Sequence, residues 1–354
     1  MRKHWLDNLR AGIVALVFVY HVLYLFNASG VLGGVGQFSA VQYQDALLYF
    51  VYPWFMVLLY ALAGMAARYS LEKRSHREFI ASRTKKLLVP STLGLFVFWW
   101  ILGYFNMWLG GGTAFIPGEG PGRAAIIYLI SVLSGTGPLW FAQLLWIYSL
   151  LLVLLRKADR GDRLDTLCGR AGPGASLVAG LFLWGGAQIL NAPVITVYRF
   201  GIYFVAFLLG YYLLSHERVQ KTLEQWRCLL LVAALVMGVG FVALYWGQNY
   251  ADYAILKNFY TNAYAWIATL AAIGCAQAKL DRETKISRWL VSKSWGIYVC
   301  HYLPLLAAAW ALYKTSLPAL AVYPLTALLG GAGTLALYEL LRRIPVIKYL
   351  VLGE

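Results

Sequence analysis

The chain has 354 residues, 61% of them apolar and 13% charged, which excludes a soluble globular domain and implies a polytopic membrane protein. Its net charge of +15 would suit nucleic-acid binding, but the basic residues lie in short loops between apolar runs rather than along one soluble face, so no nucleic-acid partner is expected. Fourteen Trp and 25 Tyr fit aromatic belts at the two membrane interfaces.

Runs able to cross about 30 Å of hydrocarbon fall at 9–26, 47–67, 87–109, 138–155, 175–190, 195–214, 228–246, 259–278, 295–313 and 317–341. Basic residues sort by loop. The even-numbered loops and the two termini hold 26 of the 30 Lys and Arg, and the odd-numbered loops hold at most one each. The positive-inside rule then puts both termini in the cytoplasm. The expectation is an all-α bundle of about ten transmembrane helices forming one domain over 1–354, with no internal repeat and no appended soluble domain.

The N-terminus, a basic stretch followed by an apolar run and Asn27-Ala28-Ser29, has the form of a signal peptide. It is read as the first span instead, because cleavage would discard Arg10 and His21 and leave an odd number of spans. These two residues are eleven positions apart, so on a helix they come within about 20° of one face and lie about 16 Å apart along the axis. Arg10 is a candidate anchor for phosphate or carboxylate, against the plainer role of a snorkelling flank. His21 lies deep, where an ionisable group is a functional candidate. It can serve as a general base or as a hydrogen-bonded bundle residue. A ligand touching both must be long and threaded along the helix, and coenzyme A has that form: phosphates at one end, a thioester at the end of an extended arm.

The second loop, 68–86, carries seven basic residues. It is a topology signal or a patch for nucleotide phosphates, with Arg83 and Lys86 neighbours if the stretch is α-helical. External loop 110–137 is glycine-rich, and its apolar second half, 124–133, is too short to span, as a re-entrant or interfacial segment would be. Arg199 stands inside the sixth span near its outer end, placed to snorkel, to bind an anion or to meet a carboxylate. Asp45, Glu119 and Asp252 read as solvated external carboxylates, and Glu339 as a partner of Arg342. His301 lies in the ninth span at a depth different from that of His21. Cys168, Cys228, Cys275 and Cys300 show no metal-ligand spacing and are read as reduced, so no metal site is expected. No GxSxG, HExxH or Walker loop occurs.

Several stretches, in order, resemble the membrane-bound acyltransferase family 3, integral-membrane O-acyltransferases of bacterial surface glycans and related targets. They are Arg10-x10-His21; Tyr52-Pro53-Trp54-Phe55 to Leu62-Ala63-Gly64-Met65, with Ala63 where the family carries Ser; Arg83-Thr84-Lys85-Lys86-Leu87-Leu88-Val89-Pro90, with Lys86 in place of a second Arg; Gly137-Pro138-Leu139-Trp140-Phe141; Phe204 to Tyr211; and Ile297-Tyr298-Val299-Cys300-His301. The resemblance implies transfer of an acyl group, commonly acetyl, from cytoplasmic acyl-CoA to a hydroxyl of a glycan or other acceptor at or across the plasma membrane of a bacterial cell. His21 would be the base. Arg10, Arg83 and Lys86 would engage the donor, although Lys86 lacks the bidentate fork of Arg. His301, Arg199, Trp140 and Tyr298 would serve the acceptor or support the site. Acyl-CoA is then the donor substrate, and no permanently bound cofactor is expected. The rival reading is a transporter or flippase for a glycan or lipid-linked intermediate, since a many-helix bundle with a buried histidine suits that class too.

Overall fold

The predicted apolar runs fall on helices, the sixth only from Phe200 onward, in the computed structural model, which describes residues 3–159, 161–193 and 197–354. In chain order these are α1 (His4–Tyr24), α2 (Tyr43–Leu71), α3 (His76–Leu109), α4 (Gly120–Ser134), α5 (Gly137–Ala158), α6 (Arg163–Gly169), α7 (Pro173–Ala187), α8 (Phe200–Leu214), α9 (Glu217–Tyr245), α10 (Tyr253–Lys257), α11 (Phe259–Leu280), α12 (Lys285–Cys300), α13 (Tyr302–Tyr313) and α14 (Ala319–Leu341). Among the described residues six helices are long and apolar enough to cross a membrane: α1, α2, α3, α5, α9 and α14. The bent pair α12–α13 makes a seventh. The expectation of ten rests on three more, of which α7 and α8 are short and α11 is more polar than the six. The chain is a polytopic helical membrane protein.

Two departures from simple spans have local causes. The α12–α13 pair bends by 63° at His301. Pro304 cannot donate a backbone hydrogen bond to Cys300, four residues earlier, so the ladder is interrupted there. In α3 the same loss at Pro90 coincides with a π-type widening over Thr84–Leu88. Ser91 Oγ and Thr92 Oγ1 donate to the Leu87 and Leu88 carbonyls at 2.6 Å each, satisfying acceptors near the break.

The sixth predicted run needs correction. Residues 195 and 196 lie outside the described set, and Val197–Arg199 form a strand rather than the start of a helix. That strand pairs antiparallel with Asn191–Pro193, with Asn191 opposite Arg199, and α8 begins only at Phe200. Arg199 is therefore not inside a membrane helix but on a hairpin at its mouth.

The chain packs as two compact units, one formed by residues 1–75 and 151–294, the other by 76–150 and 295–354. In the first, α9 and α11 pack along their length, and Gly274 brings α11 against the Leu223 carbonyl of α9. The opposite face of α9 carries Leu229, Val232, Val236 and Val239, each more than half exposed. That apolar stripe at helical spacing is a lipid-facing surface. Also in this unit α2 crosses α8 through two glycines. A Cβ on Gly64 would collide with the Phe207 carbonyl oxygen, and one on Gly210 with the Ala61 carbonyl oxygen. Small residues at such a crossing let two backbones approach in a membrane bundle.

In the second unit the segment expected to be re-entrant or interfacial is the helix α4, 15 residues and about 22 Å long. It lies against the second half of α3. A Cβ on Gly103 would meet the Ser131 carbonyl, one on Gly135 would meet the Trp99 carbonyl, and Tyr128 Oη donates to the Phe96 carbonyl at 2.8 Å. Its Leu129 and Leu133 are exposed.

Candidate functional site

Helix α1 carries Arg10 and His21 on one uninterrupted helix, as the spacing requires. Its start is pinned by polar contacts. Asn8 Nδ2 donates to the carbonyls of Leu280 and Arg282 at 2.7 and 2.9 Å, capping the end of α11, and Asp281 accepts from the Trp5 backbone at 3.1 Å. A cleft of about 190 Å³ opens there, lined by His4, Asp7, Asn8, Glu283 and Arg288 among others. Arg10 pairs with Asp7 at 3.1 Å, with 41% of its side chain exposed. An exposed pair of this kind contributes about 0–1 kcal/mol, so an incoming phosphate can take over the guanidinium at little cost.

His21 is half-buried, and its Nδ1 lies 2.8 Å from the Val17 carbonyl on the same helix. A carbonyl only accepts, so Nδ1 carries the proton and the basic nitrogen of the neutral ring is Nε2. One helical turn fixes this tautomer. Around the ring stands an aromatic cluster. Tyr20 and Tyr24 meet it edge-on with centroids 5.4 and 5.9 Å away. Tyr20 stacks on Phe55 at 5.0 Å and Tyr52 at 6.1 Å, and its hydroxyl is 3.0 Å from that of Tyr250. Tyr20 and Tyr24 flank His21 at one and three positions, so periodicity could have found them. Tyr250 comes from 230 residues away and left no local signal.

Arg199 is 1% exposed. Its guanidinium donates to the Leu256 carbonyl at 2.8 Å and to Asn262 Oδ1 at 2.9 Å, with the Tyr203 and Tyr52 hydroxyls in electrostatic range. It neither snorkels nor meets a carboxylate among the described residues. The expectation of solvated external carboxylates also fails for Asp45, which is buried and accepts the Ala28 backbone N–H at 2.8 Å, organising the loop before α2. Glu119 and Asp252 are exposed, Asp252 capping α10 by accepting from Ala254 at 2.8 Å. Glu339 does pair with Arg342, at 3.4 Å.

Sequence reasoning missed a second cluster in the same unit. Arg68 at the end of α2 holds Asp165 of α6 through both carboxylate oxygens, and His216 Nε2 approaches the same carboxylate at 3.3 Å. Tyr211 lies beneath the guanidinium, 5.6 Å to its ring centre. Burial acts to raise the Asp165 carboxyl, but the Arg68 fork outweighs it and holds the group below its ordinary value of 3.8. A carboxyl held low in the folded chain adds stability that is full above about pH 4 and is lost as pH falls through the depressed value. Asp165→Asn is accordingly expected to cost about 1–2 kcal/mol at pH 7, read as a lower melting temperature in detergent, with the gap to the parent closing below pH 4. An unchanged gap at pH 3 would remove the ion pair as the cause.

The remaining candidates belong to the second unit. Arg83 is half-buried over the Phe79 ring at 5.1 Å, whereas Lys86 is exposed. The expected α-helical neighbourhood of the two is corrected, because the π-type turn from Thr84 breaks the i,i+3 register on which it depended. The C-terminus folds onto this turn. A Cβ on Gly353, at φ +68°, would lie 2.7 Å from the Lys85 carbonyl, so glycine is required there on both counts. Tyr298 Oη donates to the Pro138 carbonyl at 2.5 Å, and its ring meets Phe141 edge-on at 5.5 Å. The Gly-Pro-Leu-Trp-Phe and Ile-Tyr-x-x-His stretches are thus one packing unit, with Trp140 half-buried at its edge. His301 is buried at the α12–α13 bend, its Nδ1 2.8 Å from the Tyr298 carbonyl, again leaving Nε2 as the basic nitrogen.

The chain matches a family described as "Acyltransferase domain" over residues 3–340, essentially its whole length. No curated protein and no solved structure matches it.

Proposed function

Since this chain belongs to the Acyltransferase domain family and is a membrane acyltransferase, we propose that it moves an acetyl group from acetyl-CoA to a hydroxyl of a glycan or other acceptor at the plasma membrane of a bacterial cell, with His21 as general base. The observation that carries this reading is the His21 ring itself: Nδ1 tied to Val17 at 2.8 Å, Nε2 basic, half-buried, on the helix that also presents Arg10. The acceptor oxygen attacks the thioester carbonyl carbon while Nε2 takes its proton. A tetrahedral oxyanion forms, the C–S bond breaks, and the departing thiolate takes the proton from His21, giving the O-acetyl product and free CoA. Arg10 holds donor phosphate, and the arm runs along α1 for about 16 Å.

The test supplies the full chain, in membranes of its source cells, with radiolabelled acetyl-CoA. Label appearing in non-protein membrane material together with CoA thiol release is the expected result. Movement of a glycan or lipid-linked intermediate across the membrane without consumption of acetyl-CoA would overturn the reading in favour of transport.

A further inference from the structure

Arg199 is a cation sealed from solvent with no anion beside it among the described residues. Its recorded partners are neutral: a carbonyl, an amide oxygen and two phenols. Its Nε has no hydrogen-bond partner among the described residues. Val194, Ile195 and Thr196 bring no acidic side chain. A charge buried in this way is costly unless something compensates it, and such costs persist at sites where a charge of opposite sign arises during function.

The groups that feel this charge point to where that happens. Tyr52 lies in its electrostatic range, stacks on Tyr20 at 6.1 Å and packs against Tyr250 at 4.9 Å between centroids. Tyr20 in turn abuts the His21 ring. The Tyr52 hydroxyl makes no hydrogen bond among the described residues, although Tyr20, Tyr24, Tyr49 and Tyr264 nearby in the same unit all use theirs. An uncommitted phenol donor therefore stands in one aromatic cluster with a base of fixed tautomer, backed by an unbalanced cation.

We propose that Tyr52 is the oxyanion donor of the acyl transfer and that Arg199 is a positioning residue which strengthens it. This inference rests on His21 being the base. As the acceptor oxygen bonds to the thioester carbon, the carbonyl π pair moves onto oxygen, and the Tyr52 O–H donates to that oxygen while the Arg199 field favours the negative charge. When the C–S bond breaks, the pair returns to the carbonyl and Tyr52 keeps its proton throughout. Preorganised donors of this kind act on the transition state more than on the bound ground state.

The experiment measures acetyl-CoA turnover by the full chain in its native membranes for Tyr52→Phe, Arg199→Gln, Arg199→Lys, the Tyr52→Phe/Arg199→Gln pair and His21→Ala. Tyr52→Phe keeps the stacked ring and is expected to lower kcat about a hundredfold with KM for acetyl-CoA little changed. Arg199→Lys is expected to recover much of what Arg199→Gln loses, and the double variant to lose little more than Tyr52→Phe alone, because the two act as one unit. Full activity of Tyr52→Phe beside an inactive His21→Ala overturns this inference and leaves the base in place. Full activity of His21→Ala overturns the base as well. If Arg199→Gln fails to accumulate as folded protein, Tyr52→Phe alone still decides.

Discussion

His21→Ala lowers acyl transfer by about 10²- to 10⁴-fold, the range over which a positioned general base contributes, while the protein accumulates and melts as the parent does. Both halves of this result follow from the geometry. The imidazole donates to the carbonyl of its own helix, and deletion leaves that carbonyl in the intact α1 ladder, where Val17 already accepts from the backbone. The ring is half-buried against Tyr20 and Tyr24 rather than locked in the core, so its loss opens a space at a site that has to admit substrate. A structural histidine behaves differently. His301→Ala removes a fully enclosed ring at the 63° bend and is expected to reduce the folded population. The measurement is transfer of labelled acetyl per mole of folded protein, with folded protein quantified by fluorescence-detected gel filtration. Parent-level transfer in His21→Ala would end the base assignment. Equal loss of folded protein and of transfer would return the ring to a packing role.

How far the sequence carried this reading depends on distance along the chain. The helices, the shared face of Arg10 and His21, and the Glu339–Arg342 pair were legible because each rests on periodicity within a few residues. The same periodicity misled at Arg83 and Lys86, where Pro90 disturbs the ladder and a π-type turn replaces the expected α-helical register. Hydropathy also placed Arg199 inside a span. Val197 and Tyr198 run on, with Arg199 alone between, into the apolar stretch that starts at Phe200, and only the pairing of Val197–Arg199 with Asn191–Pro193 separates strand from helix. Asp45 read as solvated because its partner, the Ala28 backbone N–H, is not visible in a side-chain pattern. Contacts that join remote segments left no trace at all. Asp165 and Arg68 are 97 positions apart, and Tyr250 and Tyr20 are 230. What the family stretches did carry, without saying why, was the pairing of Leu62-Ala63-Gly64-Met65 with Phe204 to Tyr211: the two are opposite sides of one helix crossing.

That crossing supplies the second large effect. Gly210→Ala is expected to destabilise the folded chain by about 1–3 kcal/mol, the usual cost of forcing an extra group into a packed interior, and Gly64→Ala by a similar amount. In each case the added Cβ meets the carbonyl oxygen of the opposite helix, at Ala61 or Phe207, and a backbone atom cannot rotate aside as a side chain can. The helices must separate, and in a bilayer there is no hydrophobic gain to draw them together again, because lipid chains are as apolar as the residues they replace. The activity should fall further than stability. Helix α2 bears Tyr52 and Arg68, α8 bears Tyr203, and Arg199 immediately precedes α8, so separation moves both polar clusters at once. The internal comparison is Gly12→Ala on α1. No atom lies within 4 Å of a Cβ there, and replacing a mid-helix glycine by alanine is expected to be neutral or to stabilise by up to about 1 kcal/mol. Melting temperatures of the three variants in one detergent, read beside acetyl transfer per folded molecule, separate the cases. A Gly210→Ala protein as stable and active as Gly12→Ala would mean that the α2–α8 contact is looser than this geometry requires.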